Sequence, residues 1–192
     1  MLALDIETMG LDRYRPSHAL TMVCLYDGEK SLERSFPFLL CVNCETGAIT
    51  DQDMFEDMKQ EIVGYLDEAE NIITYNGIEF DLPFLAEKLD IIDGKLGKWV
   101  MKTIDVFHTI KLLMGRMFKL DVMLKVNGLS SKEGSGLQAI SWAREGNVQD
   151  LDRYCMMDTK LTYELTMLEQ VLLPGQNRLA WSIEQGLYYK KK

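Results

Sequence analysis

Apolar and polar positions alternate over the first residues of the chain, and the alternation ends in acids. Leu2, Leu4 and Ile6 fall on one side of an extended strand, and Ala3, Asp5 and Glu7 fall on the other. Apolar runs over residues 21–26 and 32–40 predict two more strands, separated by the turn-forming Asp27-Gly28-Glu29-Lys30. Connections this short predict three strands in antiparallel succession. The period then changes: Phe55, Met58, Ile62, Tyr65, Leu66 and Ala69 recur at helical spacing, which predicts a helix over 53–68. Residues 71–75 read as a short strand closed by Asn76-Gly77. Asp81 reads as the cap of a helix running to Leu89 with Pro83 in its first turn. A strand over 102–107 and a mostly helical stretch over 109–127 follow. Residues 128–136 are rich in turn formers and read as a loop, helices are predicted over 137–145 and 149–172, and 178–189 reads as a returning strand.

Strands first, then helix alternating with strand, then helices, predict an α/β fold with a mixed β-sheet of about five strands, the first three antiparallel, flanked by α-helices. The 192 residues suit one domain spanning 1–192, since no repeat, linker or low-complexity segment divides them. A hydrophobic content of 47% and a charged content of 27% exclude collagen-like, disordered and disulfide-scaffold classes. No apolar run approaches the roughly 20 residues that cross a bilayer, so no membrane partner is expected.

Charge changes the picture twice. The formal net charge of -9 argues against bulk electrostatic binding of polyanions. It is unevenly spread: residues 1–87 hold 18 acidic and 5 basic groups, 88–132 hold 4 and 9, and 133–192 hold 8 and 7. The basic middle, from Lys88 to Lys132, reads first as a solvated face. Cys24, Cys41, Cys44 and Cys155 follow no secretory signal, so an intracellular setting, cytoplasm or nucleus/nucleoid, and reduced thiols are expected rather than secretion. Cys41 and Cys44 form a C-x-x-C pair without a second pair at zinc-like spacing, and read as small apolar residues.

The informative residues are acids at positions where the pattern calls for apolar side chains. Asp5 and Glu7 project from the same face of the first strand, about 7 Å apart at the backbone. Two neighbouring negative charges on a sheet surface must be neutralised, shift their pKa or bind a cation, unless the strand end is simply solvated. In the last helix, Leu151, Tyr154, Cys155, Asp158, Leu161, Thr162, Leu165, Leu168 and Leu172 form an apolar stripe with Asp158 in its middle. Tyr154 stands one turn before Asp158 on that face. A core Tyr–Asp pair, or a helix rotated to put Asp158 at the rim, would also account for it. Asp81 is the fourth acid, in Asn76-Gly-Ile-Glu-Phe80-Asp81, and a cap suffices to explain it alone. Taken together, four carboxylates offer the hard oxygen ligands suited to Mg²⁺ or Mn²⁺ and to two-metal phosphodiester hydrolysis.

These blocks resemble a known family. Asp5-Ile-Glu7-Thr8-Met-Gly10, Asn76 to Phe80-Asp81, and Tyr154-Cys-Met-Met-Asp158 match in order the three motifs of the DEDD superfamily of 3′-5′ exonucleases, the DnaQ-like group with an RNase H-like fold. Tyr154 in the third block is similar to the DEDDy branch, which includes proofreading domains of DNA polymerases, RNase D-like ribonucleases and stand-alone exonucleases. The resemblance covers roughly residues 1–172.

The resemblance implies a metal-dependent 3′-5′ exonuclease that releases nucleoside 5′-monophosphates from a single-stranded DNA or RNA 3′ end. It implies two divalent cations, Mg²⁺ or Mn²⁺. Asp5, Glu7 and Asp158 would hold the one that carries the attacking water, Asp5 would be shared with the second, and Asp81 would help hold that second ion. Tyr154 would orient the water. Thr8 and Met9 would lie near the terminal nucleotide with Phe80 beside it and Asn76 lining the site, although core packing accounts equally well for Met9 and Phe80. Lys132 could reach a phosphate, or be a solvated loop lysine. The basic stretch becomes a candidate path for the strand, and a polymerase or helicase a candidate partner. A catalytically silent nucleic-acid-binding or protein-interaction module is the alternative, but it would be expected to lack one of the five catalytic-type residues, and all five are present.

Overall fold

The first three strands are β1 (Leu2–Thr8), β2 (Leu20–Asp27) and β3 (Leu32–Phe36). The computed structural model describes residues 1–92, 94–130, 134–175, 179–182 and 186–188. In it, β1 and β2 pair antiparallel with Asp5 opposite Cys24 and Glu7 opposite Met22, and β2 pairs antiparallel with β3. β3 is shorter than the apolar run because Pro37 has no N–H to give a ladder, and Phe38–Leu40 form a 3-10 turn instead. β4 (Ile72–Thr74) and β5 (Thr103–Asp105) add in parallel on the far side of β1, giving the order β3-β2-β1-β4-β5. This is the mixed five-stranded sheet expected from the sequence. The β1–β4 ladder joins only Leu2 to Ile72 and Ala3 to Ile73, so it stops before Asp5.

Helix α1 (Gln52–Glu68) starts where Asp51 accepts a hydrogen bond from the Met54 N–H at 3.0 Å, and it buries Phe55, Met58, Ile62 and Leu66. Next come α2 (Asp81–Lys88), α3 (Lys95–Met101), α4 (Val106–Met114), α5 (Leu120–Val126), α6 (Gly136–Glu145) and α7 (Val148–Met167). The mostly helical stretch expected over 109–127 is α4 and α5, divided where Gly115 takes a left-handed φ of 64° and ends α4. α3 was not expected; its Trp99 is wholly buried and donates its indole N–H to Asp67 at 2.8 Å, a tertiary partner that seven residues of local pattern do not announce.

The last helix also ends early, at Met167 rather than near 172. Asn127 accepts from the Leu172 N–H at 2.7 Å and donates to the Leu172 carbonyl at 3.0 Å, taking both groups that a continuing helix would need. The chain instead enters β6 (Gln170–Val171), which with β7 (Leu179–Ser182) and β8 (Gly186–Tyr188) forms a small antiparallel sheet. The single returning strand expected over 178–189 is thus two strands, and its end residues 178 and 189 lie outside those described.

Along α7 the expected stripe is buried from Leu151 to Leu165, with Thr159, Tyr163 and Thr166 buried beside it, while Leu168 and Leu172, past the helix end, are half-buried. Thr159 and Thr166 each return the hydroxyl to a carbonyl one turn back, at 2.8 Å, so small polar residues pack inward with that hydrogen bond made. Ala3 of β1 packs with Ile73 and with Tyr163, which places α7 over the face of β1 that also carries Asp5 and Glu7. Among the described residues no helix is long and apolar enough to cross a membrane.

Candidate active site and metal centre

Strand alternation brings Asp5 and Glu7 to the α7 side of the sheet, each half-buried. The docked helix confirms the proximity: Cys155 Sγ stands 3.6 Å from both the backbone oxygen and Oδ2 of Asp5. Asp158, three residues on, is 5% exposed, so α7 is not rotated to put this carboxylate at the rim. Asp81 is also 5% exposed and is the first residue of α2.

Asp81 is not the cap predicted for its helix. The N-cap position belongs to Phe80, which makes no side-chain cap, and the Asp81 carboxyl instead accepts from its own backbone N–H and from that of Ile6. The β1–β4 ladder has already stopped at Ala3, so Asp81 reaches the strand edge between Asp5 and Glu7. One carboxylate thus closes a strand edge and joins the acid cluster at once.

The electrostatics follow from that crowding. Withdrawal from water, followed by repulsion from Asp81, Glu7 and Asp158, pushes the Asp5 carboxyl well above the usual carboxylate range. Asp81 is pushed up to about 7, by burial first and then by the charge on Asp105, against the pull of the two backbone hydrogen bonds. Ligand atoms of Asp5, Glu7 and Cys155 all lie within 4.8 Å of one another. Convergent oxygen donors that repel each other fit a divalent cation, whose charge would relieve the same repulsion.

Sequence reasoning missed Asp105. It is 2% exposed, and its carboxylate accepts from the Asn76 N–H at 3.0 Å, the Ile78 N–H at 2.9 Å and the His108 N–H at 2.9 Å. One acid therefore caps α4 and also shapes the turn that delivers Asp81. The available signal was an acid ending a strand three residues before a histidine, which is compatible with an ordinary cap. The same turn holds Asn76 at a φ of 74° and leaves no room at Gly77, where an added Cβ would lie 2.5 Å from the Thr74 side chain. We expect Gly77→Ala to destabilise the fold by about 1–3 kcal/mol, as overpacking does, with a matching loss in a urea titration. An unchanged midpoint would show that Thr74 moves aside freely.

The other expected residues take mixed positions. Tyr154 is 5% exposed, one turn from Asp158, with its ring tilted against Trp142 at 5.9 Å and bordering a cavity of about 190 Å³ that reaches Met157 and Arg153. Thr8 donates its hydroxyl to the Gly10 carbonyl at 2.8 Å, fixing the chain just past Glu7. Met9 packs in the core at 8% exposure. Phe80 leans on Phe84 with ring centres 5.4 Å apart and is only partly buried. Asn76 is half-buried and its Oδ1 has no hydrogen-bond partner among the described residues.

Four lysines of the basic stretch are engaged within the fold. Lys88 donates to the Arg15 carbonyl at 2.7 Å, Lys95 pairs with Asp67, Lys102 holds the carbonyls of Asp67 and Ala69, and Lys111 pairs with Glu79 at 2.7 Å. Lys98, Arg116, Lys119 and Lys125 are exposed, and Lys132 lies outside the described residues. All four cysteines are free thiols; Cys41 is buried, with its thiol directed to the Phe38 carbonyl, and Cys44 is half-buried beside the core.

A family model of the RNase H superfamily matches residues 2–168. Comparison with curated protein sequences returns no match. Among solved structures, the chain is similar to the family B DNA polymerase from the hyperthermophilic archaeon Pyrobaculum calidifontis, with a TM-score of 0.62 and 18% identity over 86% of this chain. The chain spans 24% of that polymerase's length, and the likeness is one of fold.

Proposed function

The chain belongs to the RNase H superfamily, and on that premise we propose that it is a divalent-metal-dependent 3′-5′ exonuclease of the DEDDy type. One arrangement supports the reading: Asp5 and Glu7 share one face of β1 under α7, where ligand atoms of Asp5, Glu7 and Cys155 lie within 4.8 Å of one another, and the buried Asp81 at the start of α2 and Asp158 on α7 lie near enough to raise the Asp5 pKa. Structural carboxylates normally meet cations or backbone N–H groups, and a cluster of mutually repelling acids is a costly arrangement without a charge to bind.

In this reading Asp5, Glu7, Asp81 and Asp158 would hold two Mg²⁺ or Mn²⁺ ions, which would supply Lewis-acid charge to acidify a water and to offset charge on the leaving oxygen. Tyr154 orients that water; a phenol is protonated at neutral pH, so it acts by positioning rather than as a base. Phe80, half-exposed beside the second block, offers an apolar face on which a terminal base can stack without regard to sequence. Met9 supports the wall from the core side, and Thr8 and Asn76 place backbone and amide groups at its rim.

The test is digestion of 5′-labelled single-stranded DNA and RNA in Mn²⁺, Mg²⁺ or EDTA. A ladder shrinking from the 3′ end with either metal, and absent in EDTA, is the expected result. Internal cleavage, or digestion in EDTA, contradicts the reading. The same gel separates DNA from RNA as substrate. Tyr154→Phe should slow turnover about 10- to 100-fold with little change in KM, the signature of lost positioning.

A pH dependence follows from Asp81. Its folded pKa, about 7, lies above the ordinary carboxylate value, so ionisation opposes folding above pH 7 and the penalty fades as pH falls through 7. Cation binding needs the ionised form and weakens over the same range. The melting temperature of metal-free protein should therefore rise between pH 8 and pH 6, while the increment added by Mn²⁺ shrinks. Scanning fluorimetry at both pH values checks this; a Mn²⁺ increment independent of pH would remove Asp81 from the site.

A further inference from the structure

The ring of Tyr154 rests against two residues from another part of the chain, and neither has a part in the proposed hydrolysis. Trp142, half-buried on α6, meets it with ring centres 5.9 Å apart and planes tilted by 58°, an ordinary geometry for an aromatic pair. Gly134, just before α6, lies against both rings: an added Cβ there would stand 3.3 Å from Tyr154 Cδ2 and 3.2 Å from Trp142 Cη2. A side chain at this position would fit only by pushing the rings away, and the Gly134 φ of 92° is one that side chains rarely take.

The indole is itself fixed in place. Gly146, at a left-handed φ of 68°, ends α6, and the Asn147 N–H donates to the Trp142 carbonyl at 2.8 Å. The Asn147 side chain in turn accepts from the Asp150 N–H at 3.2 Å and caps α7. The residue that starts the helix of Tyr154 is thus bonded directly to Trp142. The phenol has no such restraint on its remaining border, where the cavity of about 190 Å³ extends to Gln138 and Met157. A ring with open space beside it keeps one rotamer only if its other neighbours forbid the alternatives.

We propose that Trp142 is a positioning residue for Tyr154: with the Gly134 backbone behind it, the indole keeps the phenol from swinging into the cavity and so fixes where its hydroxyl meets the water. This rests on the reading of Tyr154 as the group that orients the attacking water. Trp142 acts only through that hydroxyl.

The first test is kinetic and uses the full chain. Trp142→Ala should lower kcat about tenfold and change KM by no more than about twofold, while Trp142→Phe, which keeps an aromatic face, should recover most of the rate. In a Tyr154→Phe background, Trp142→Ala should cost no more than about twofold, because the hydroxyl that it places is already gone. Trp142→Leu replaces Trp142→Ala in both readouts if the alanine variant does not fold. An equal loss in both backgrounds is the mark of a residue that only supports the fold, and it overturns the proposal, as does an unchanged kcat. The second test needs no nucleic acid. A nuclear Overhauser contact between the Tyr154 ring, assigned by its loss in Tyr154→Phe, and the Gly134 α-protons should be present in the unmutated chain, lost in Trp142→Ala and kept in Trp142→Phe. A contact that survives Trp142→Ala overturns the proposal. A contact that depends on Trp142 in a chain that digests nothing would support the hold on Tyr154 and refute the nuclease reading.

Discussion

Asp5→Asn should lower the rate of 3′-end digestion by roughly a thousandfold or more and yet raise the melting temperature of the metal-free protein. On the proposed reading the loss follows from position: groups that merely orient metal ligands are worth about 10- to 100-fold, and a ligand at the centre of the cluster would exceed them. The gain follows from charge. The Asp5 carboxyl sits well above its usual range because burial, then Asp81, Glu7 and Asp158, oppose its ionisation. A raised folded-state pKa means that the ionised side chain costs stability above the ordinary carboxylate pKa, and the near-isosteric amide removes that cost. In a chain of 192 residues each kcal/mol relieved is worth about 2–4 °C. Activity assays and calorimetry on one preparation check both signs. A variant that is inactive and also less stable would mean that Asp5 is held by favourable partners, and the cluster would lose its claim to bind a cation.

Asp105→Ala is expected to act in the opposite way, through the fold. Three part-buried backbone N–H groups, of Asn76, Ile78 and His108, would lose their acceptor. At about 1–3 kcal/mol for each orphaned donor the loss is about 3 kcal/mol or more, or on the order of 10 °C in melting temperature. Asp105→Asn keeps one acceptor oxygen and should lose about half as much. Digestion should also slow by about a hundredfold in Asp105→Ala, since the turn it shapes delivers Asp81, and errors of about 1 Å in placement cost that much. One further readout separates this role from simple loss of stability. Asp105 is the charge that adds most, after burial, to the raised pKa of Asp81. Without it, the pH midpoint of the Mn²⁺-induced thermal shift should move to lower pH. A midpoint that stays in place while stability falls would confine Asp105 to capping.

The contrast between these two acids shows how far the pattern of residues can be read. Asp5 was legible because it breaks a period-2 strand on a face with one possible neighbour layer, and Asp158 because it breaks a helical stripe. Asp81 was legible as a residue but not in its role: a helix start explains an acid by itself, and only the end of the β1–β4 ladder reveals the Ile6 N–H that it accepts. Asp105 was invisible, since an acid between a strand and a helix is what an ordinary cap looks like. The positive middle segment was legible only as a count of charges, and four of its lysines turn out to be engaged within the fold while Lys98, Arg116, Lys119 and Lys125 are exposed. Its lysines at 88, 95, 102 and 111 are bound to carbonyls and carboxylates that the linear charge count treats as distant.

By itself the sequence determined the strand and helix faces, the antiparallel start, and the three acidic blocks, because each depends on spacing within one element. The tertiary structure alone decided what meets across elements. Cys155 and Asp5 are 150 positions apart, and their 3.6 Å approach exists only once α7 is laid over β1. Likewise α3, the early end of α7 and the role of Asp105 depend on partners far along the chain: Asp67 for Trp99, Asn127 for Leu172, Asn76 and Ile78 for Asp105. Periodicity tells a side chain which way to face, and packing determines what it finds there.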